Sequence, residues 1–283
     1  MKRNILKNYK ILIFALLFSY SLIANNISAA EIKTLNFVVH PFKSPTKLAS
    51  MFSPLLKNLE KTLGYKINFR TGRSYQQVIN LYKQGLADFG YLGPAGYVKA
   101  ANKKRVVPLV RIQNNGKGTF NGVIVVNDKS DIVSIKDLEG KRFAFGDKNS
   151  TLSHFVPHYM LLKANVSLKK LSKYSFTGNH DNVARGVLLN LYDAGGLKPS
   201  VAKNYLDKGL RILATSEPIS EHLFVANSKM NSALRKKIKQ ALLSMPLKPL
   251  QAIKKKITGV ETVESADYDN LRIIIKLVNQ QNF

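Results

Sequence analysis

Two segments of the chain share the pattern Asp-x-Gly-x-Leu-x-Pro, one starting at Asp88 and the other at Asp193, a spacing of 105 residues. At the same spacing Tyr75 matches His180, each at the start of a stretch with helical periodicity. Convergence on a common strand-turn-helix pattern is one explanation, but a spacing that holds over a helix and the following strand favours two related halves. We therefore expect two similar lobes with a ligand cleft between them.

Short apolar, β-rich runs alternate with segments whose apolar residues recur at helical spacing. Residues 35–39 and 142–145 are predicted strands, and residues 53–63 form a predicted helix ended by Gly64. Residues 150–155 are read as a first turn that leads into a helix at Pro157, because proline has no N–H to donate inside a helix. The alternation predicts an α/β protein in which each lobe is a mostly parallel sheet flanked by helices.

Residues 1–30 have the three parts of a secretory signal peptide. An apolar run over residues 11–23 lies between a basic start and small residues at a cleavage site. The mature protein is therefore expected to be soluble and periplasmic, with an uncleaved N-terminal anchor as the alternative. The charged and small residues are Lys2, Arg3, Lys7, Lys10, Ser28, Ala29 and Ala30.

The composition excludes several classes of protein. The chain has no cysteine, so disulfide scaffolds, zinc-thiolate sites, iron-sulfur clusters and cysteine nucleophiles are ruled out. Its formal charge of +27 falls to +23 without residues 1–30, which carry four basic residues and no acidic one. The lysines are scattered and not interleaved with aromatic residues, so we predict a solvated cationic surface and no nucleic-acid binding.

A polar loop, residues 146–151, lies between a predicted strand and a predicted helix. At the carboxyl edge of a parallel sheet, its backbone N–H groups and the helix dipole would attract an anion. The Ser150 and Thr151 hydroxyls add donors suited to a tetrahedral oxyanion such as phosphate or phosphonate. An ordinary N-cap that only satisfies the helix end is the alternative.

This loop and its continuation also carry a resemblance to a known family. Residues 145–153, with Val156-Pro157 and Met160-Leu161-Leu162, resemble the phosphate, phosphite and phosphonate class of periplasmic substrate-binding proteins of ABC transporters. The same family pattern is echoed, in order, at residues 53–55, 63–64, 75–88, 92–94, 97–98, 177–181, 193–195 and 214–218.

The resemblance implies a type II periplasmic-binding-protein fold whose two lobes close over an oxyanion. Lobe one would comprise residues 31–116 and 223–283, and lobe two residues 117–222. The implied ligand-binding residues are Ser150, Thr151 and Ser153 on the phosphorus oxygens, His180 before a lobe-two helix, Tyr91 or Leu92 near the third strand, Tyr75 at its helix start, and Phe42 as an aromatic lid.

Family members that bind aminoalkyl phosphonates carry two carboxylates for the ammonium group. Here Pro199-Ser200 stand at the first place, and only Glu221 could serve at the second. The resemblance therefore implies the oxyanion grip without aminoalkyl specificity.

We predict the solute-binding protein of an ABC importer, acting as a monomer with an inner-membrane permease. It is expected to have no catalytic activity, cofactor or metal. His154 and His158 are four residues apart but lack the glutamate of a zinc-protease motif. Asp88 and Asp193 are expected to bond local backbone amides. A periplasmic sensory module that docks on a membrane receptor is the alternative, and an enzyme on the same fold is a third possibility.

Overall fold

The computed structural model describes residues 33–281, so the predicted signal peptide lies outside the described residues. Within this part of the chain, no helix is long and apolar enough to cross a membrane. The strands are β1 (Thr34–Val39), β2 (Lys66–Thr71), β3 (Phe89–Leu92), β4 (Val106–Asn114), β5 (Thr119–Phe120), β6 (Val123–Asn127), β7 (Arg142–Phe145), β8 (Lys173–Phe176), β9 (Ala194–Leu197), β10 (Leu210–Thr215), β11 (Ile219–Ser220), β12 (Leu223–Asn227) and β13 (Ile257–Thr262). The α-helices are α1 (Pro45–Leu63), α2 (Tyr75–Gln84), α3 (Pro94–Ala100), α4 (Val156–Lys163), α5 (His180–Leu188), α6 (Pro199–Leu206), α7 (Ser232–Leu243), α8 (Leu247–Ile253) and α9 (Asp269–Gln280).

The strands form two larger sheets that are each covered by helices. The first has the order β13-β4-β12-β3-β1-β2 and the second the order β10-β6-β9-β7-β8. Strand β1 pairs in parallel with β3, and β7 pairs in parallel with both β8 and β9. The predicted α/β class is confirmed. Both sheets are mixed, because β12 and β6 run antiparallel to their neighbours.

Strands β6 and β12 each receive the chain from the other sheet. One passage runs from β4 through β5 to β6, and the other returns from β10 through β11 to β12. At the passages β5 pairs with β11, with Phe120 opposite Ile219 and Thr119 opposite Ser220. The two connections are therefore held side by side, and each sheet contains one strand that arrives from the other.

The internal repeat of the sequence is also visible in the strand order. The strands β4-β12-β3-β1-β2 and β10-β6-β9-β7-β8 have equivalent places in the two sheets. Asp88 Oδ2 accepts a hydrogen bond from Asn36 N over 2.7 Å, and Asp193 Oδ2 accepts one from Arg142 N over 2.7 Å. Each aspartate thus lies just before a central strand, β3 or β9, and accepts a backbone hydrogen bond from the neighbouring strand, β1 or β7. The expected structural role of this pair is confirmed.

The glycines of the repeated pattern allow a helix to pack closely on the sheet. A Cβ atom on Gly90 would lie 2.0 Å from the Val38 carbonyl oxygen and 2.2 Å from the Tyr82 hydroxyl. A Cβ atom on Gly195 would lie 2.5 Å from the Val183 side chain. All three distances are shorter than atoms can tolerate, so each position requires glycine.

Several elements differ from their predicted bounds. Helix α1 begins at Pro45, not near residue 53, and continues through Pro54. It ends as predicted at Gly64, which has a φ of 72° and donates its N–H to Glu60 O. Strands β12 and β13 and helices α6 and α8 had no sequence prediction. These elements are short, and their apolar residues form no extended periodic pattern. Tertiary contacts therefore determine where they form.

The C-terminal helix α9 packs against α3 and α4, which follow strands of different sheets. Its buried residues share an apolar cluster with Ala95 and with the α4 region. The last helix therefore contacts elements of both sheets. The residues on its buried face are Leu271, Ile274, Ile275 and Val278.

Candidate functional site

The loop after β7 enters α4 through a single π-helical turn, residues Thr151–Phe155. The Phe155 N–H donates to Ser150 O, five residues back. Pro157 has no N–H to give to Ser153 O, and that carbonyl accepts instead from Gly146 N over 2.8 Å. This bond holds the turn against the end of β7, and the regular helix begins at Val156, one residue before the predicted start at Pro157.

Three hydroxyl groups of this turn are buried, and each retains a proton to donate. Ser150 Oγ accepts from Ser153 N over 3.2 Å, and Thr151 Oγ1 accepts from Ala95 N over 2.9 Å. A hydroxyl has one donor as well as two lone pairs, so both groups keep their O–H available. Ser153 is 0% exposed, and its Oγ has no hydrogen-bond partner among residues 33–281.

His180 begins α5 on the same edge of the second sheet. Its Nδ1 accepts a hydrogen bond from Lys198 N over 3.2 Å. Burial and the Lys198 charge lower the pKa of His180 from 6.5 to about 3. The ring is therefore neutral at pH 7 with its proton on Nε2, which makes Nε2 a hydrogen-bond donor. A Cβ atom on Gly146 would lie 2.1 Å from Ser153 Oγ and 3.5 Å from the carbonyl carbon of Asn179, so the turn and the start of α5 adjoin.

Two further histidines face the start of α3. A Cβ atom on Gly93 would lie 3.4 Å from His222 Nε2 and 3.7 Å from His40 Nε2. The two imidazole rings stack with centroids 5.5 Å apart, and His40 Nδ1 lies 3.3 Å from Tyr91 O. Burial and the proximity of His222 lower the pKa of His40 to about 3. His40 is thus also neutral at pH 7.

Aromatic side chains surround His40. Its ring centroid lies 4.9 Å from that of Phe42, 5.1 Å from that of Tyr75 and 6.1 Å from that of Tyr91. Burial and the Asp147 carboxylate raise the pKa of Tyr75 above its ordinary value. Of the two alternatives near the third strand, Tyr91 contacts the histidines, whereas Leu92 is fully buried in the apolar cluster on the opposite face of the sheet.

Glu221 lies at the return passage between the sheets and is 1% exposed. One carboxylate oxygen accepts from His222 N and faces His222 Nδ1, each over 2.7 Å. The other oxygen accepts from Asn114 Nδ2 and lies 3.6 Å from Lys254 Nζ. Burial acts to raise the pKa of Glu221, but His222 and Lys254 outweigh it and hold that pKa below its ordinary value. Both oxygens of this carboxylate are therefore engaged within the protein.

Lys99 connects α3 to the loop that precedes the π-helical turn. Its Nζ donates to Asn149 Oδ1 over 2.6 Å and lies 4.7 Å from the centre of the Phe155 ring. Burial lowers the pKa of Lys99, against the opposing effect of Asp147. Burial raises the pKa of Asp147, which accepts from Asn149 N over 2.7 Å. The loop is thus anchored to α3 by a partly buried lysine.

His154, within this turn, and His158, in the first turn of α4, are both buried. His158 Nδ1 is 3.4 Å from His154 Nε2, and both rings pack against Phe145. Among residues 33–281 there is no group of three or more histidine and acidic side chains that could hold a metal ion. The structure thus gives this histidine pair the surroundings of core residues.

Comparison with known proteins decides the family. Residues 37–270 match the family described as the phosphonate periplasmic substrate-binding protein of ABC transporters. The chain belongs to this family. Among curated relatives, it is 24% identical to the "Phosphate-import protein PhnD" of Mycolicibacterium smegmatis, over 88% of this chain and 87% of that protein. It is 25% identical to the "Probable ABC transporter phosphite binding protein PhnD1" of Prochlorococcus marinus, over 88% of this chain and 91% of that protein.

A solved structure shows the same fold as this member of the family. The structure of PhnD1 from Prochlorococcus marinus in complex with methylphosphonate has a TM-score of 0.78 to this chain at 23% identity. The match covers 88% of this chain and 99% of that one. The type II periplasmic-binding-protein fold expected from the resemblance is therefore confirmed.

The structure brings most of the predicted residues to one region and adds others. Ser153 packs against Gly146, which adjoins Asn179 just before His180, and Thr151 contacts the α3 start that His40 and His222 face. Sequence reasoning missed His40, His222, Lys198 and Lys99. A signal existed for two of them, because His40 follows β1 and Lys198 follows β9, at the carboxyl ends of central strands where ligands of α/β folds bind.

Proposed function

We propose that this chain is the periplasmic solute-binding protein of an ABC importer and binds a phosphorus oxyanion between its two sheets. The described parts of residues 31–116 and 223–283 would form one lobe and residues 117–222 the other, and the β5 and β11 passages would allow the lobes to close. Family membership supports the transport role. The local chemistry of the turn after β7 supports the class of ligand.

The observation that carries the proposal is the buried Ser153 hydroxyl without a partner. A buried polar group left unsatisfied costs about 1 to 3 kcal/mol, so natural proteins avoid it unless another group completes it. Ser153 Oγ lies in a turn whose neighbours Ser150 and Thr151 also retain O–H donors. A bound oxyanion would accept hydrogen bonds from all three.

The neighbouring groups fit the same ligand. His180 offers Nε2–H at the start of α5, which adjoins the turn that carries Ser153. We assign the anion grip to Ser150, Thr151, Ser153 and His180. Tyr75, Tyr91 and Phe42 would enclose the ligand from the first sheet, together with His40.

The remaining features of the protein follow from this role. The chain is exported by cleavage of residues 1–30, functions as a monomer, delivers its ligand to a membrane permease and carries out no chemistry on it. Mass spectrometry of the mature protein is expected to find Glu31, or a residue within a few positions, at the N-terminus. An N-terminal Met1 would contradict soluble export.

The variant Ser153→Ala tests the anion grip. Calorimetry with phosphate, phosphite and methylphosphonate should show binding by the wild type that weakens roughly tenfold to a hundredfold in the variant, the loss of one hydrogen bond to a charged group. The ligand-free variant should be as stable as the wild type or more so, because the lost hydroxyl had no partner. A matched control is Ser175→Ala, on the neighbouring strand β8. Unchanged affinity in Ser153→Ala would remove this residue from the site.

A further inference from the structure

The helices α1, α7 and α8 form one layer on the first sheet. Helix α1 packs against both α7 and α8, and the buried residues of all three helices belong to one apolar cluster with residues of β1, β4 and β12. Each helix turns its apolar side to the sheet, so the opposite sides form a common outer surface. We call this surface the lysine face, because six lysines are exposed on it: Lys47, Lys57, Lys61, Lys236, Lys237 and Lys248.

None of these six lysines forms an ion pair within residues 33–281. Every other exposed side chain of the three helices is uncharged. The one acidic residue in their sequences, Glu60, is partly buried, and its Oε1 accepts a hydrogen bond from Ile67 N over 2.8 Å. The charges of the six lysines therefore add to one positive surface potential.

The excess of positive charge belongs to this side of the first sheet. Residues 228–258, which include α7 and α8, carry nine basic residues and no acidic one. Helix α9 packs against α3, whose Tyr97 and Ala100 belong to the apolar cluster on the opposite face of the sheet. Residues 259–281, which include α9, carry four acidic residues and two basic ones. The fold thus gathers on one layer lysines that lie far apart in the sequence.

The chemistry of the lysine face fits the surface of an anionic lipid bilayer. Leu247 begins α8 beside Lys248 and is 46% exposed, so an apolar side chain accompanies the ammonium groups. Basic and apolar residues on one helical surface are typical of proteins that bind at the headgroup region of anionic membranes. No aromatic side chain is exposed on α1, α7 or α8, whereas single-stranded nucleic acids are bound by aromatic residues that stack on the bases.

We propose that the lysine face binds the surface of a bilayer that contains anionic phospholipids. The headgroup phosphates supply the negative charge that this face lacks, and Leu247 enters the headgroup region. The choice of a membrane rests on the proposed role beside a membrane permease, whereas the charge of the face does not. The grip at Ser150, Thr151 and Ser153 belongs to the second sheet, so membrane binding and oxyanion binding use different surfaces.

Cosedimentation of the mature protein with lipid vesicles tests this proposal. Vesicles of phosphatidylcholine and phosphatidylglycerol in equal parts should bind the protein about tenfold or more tightly than vesicles of phosphatidylcholine alone, because several lysines meet the anionic surface together. Added salt should weaken this binding, since the Debye length falls from about 8 Å at physiological ionic strength to about 3 Å at 1 M. Equal binding to both kinds of vesicle, or binding that salt does not weaken, would overturn the proposal.

Two variants of equal net charge show whether the lysine face is responsible. The first combines Lys57→Gln, Lys61→Gln, Lys236→Gln and Lys237→Gln and should bind the anionic vesicles about tenfold or more weakly than the wild type. The control replaces four exposed lysines around the second sheet and should retain the wild-type affinity within about threefold. Its substitutions are Lys136→Gln, Lys163→Gln, Lys169→Gln and Lys203→Gln. Thermal unfolding establishes that both variants are folded, and an equal loss of binding in both would show attraction by net charge alone and overturn the assignment to this face.

Two further measurements separate the remaining outcomes. Duplex DNA that binds as tightly as the anionic vesicles, with the same loss in the first variant, would show a general polyanion site and overturn the choice of a membrane. Calorimetry with phosphate, phosphite and methylphosphonate tests the oxyanion grip in the absence of lipid. If none of these anions binds while the vesicle results hold, the lysine face stands and the proposed class of ligand is wrong.

Discussion

Thr151 Oγ1 accepts a hydrogen bond from the backbone N–H of Ala95 over 2.9 Å. Ala95 lies in the first turn of α3, which follows β3 of the first sheet, and Thr151 begins the turn after β7 of the second. The bond therefore joins a strand-to-helix junction of one sheet to a strand-to-helix junction of the other. One side chain both links the sheets and presents its O–H to the proposed anion.

Replacement of Thr151 by valine should weaken oxyanion binding by roughly tenfold to a hundredfold, because the isosteric side chain lacks both the donor and the acceptor. Thr151→Ser keeps the hydroxyl and is expected to retain affinity within about threefold. Calorimetry with phosphate and methylphosphonate compares the two variants. Equal affinities in Thr151→Val and the wild type would show that the hydroxyl contacts no ligand.

Aminoethylphosphonate should bind more weakly than methylphosphonate. Its ammonium group would need a carboxylate in the closed cleft, but both oxygens of Glu221 are already engaged and several lysines lie nearby. Competitive titration of the two ligands measures the difference. The prediction fails if aminoethylphosphonate binds more tightly and Glu221→Gln removes that advantage.

Stability should decrease as the pH falls below about 6.5. Burial is the main cause that lowers the pKa of His154 to about 3 and that of His158 to about 4, while each titrates near 6.5 in the unfolded chain. Between these values the unfolded state binds more protons, so the free energy of unfolding rises with pH by up to about 1.4 kcal/mol per pH unit for each histidine.

Urea unfolding at pH values between about 7 and about 4.5 measures this slope. The slope, not the absolute stability, is the relevant quantity, because a substitution in the interior also alters packing. His158→Asn should reduce the slope of the free energy of unfolding against pH relative to the wild type. An unchanged slope in that variant would show that His158 does not titrate differently in the two states.

Gly90→Ala should destabilise the protein by about 3 kcal/mol or more, because the new methyl group would collide with Val38 O and with the Tyr82 hydroxyl that bonds it over 3.0 Å. Gly96→Ala in α3 is the matched control, since no atom lies within 4 Å of its added Cβ. The control is expected to gain about 0.5 to 1 kcal/mol from helix propensity. Chemical denaturation distinguishes them, and equal stabilities would contradict the close packing at Gly90.

The sequence by itself determined those features that depend on neighbouring residues. Gly64 ends α1 because its φ of 72° suits a residue without Cβ, and Pro157 lies in the first turn of α4, where a missing N–H is tolerated. The repeats that begin at Asp88 and Asp193 precede β3 and β9, which have equivalent places in the two sheets. The family motif around Ser150 and Thr151 could likewise be found in one continuous segment.

Tertiary structure alone decided which distant groups meet. The crossing of β4 to β6 and of β10 to β12 makes both sheets mixed, which no local pattern specifies. His40 and His222 are far apart in sequence and stack only because β3 pairs with both β1 and β12. Strand pairing between remote segments depends on the topology of the whole chain, whereas helix ends and turns depend on the dihedral preferences of a few adjacent residues.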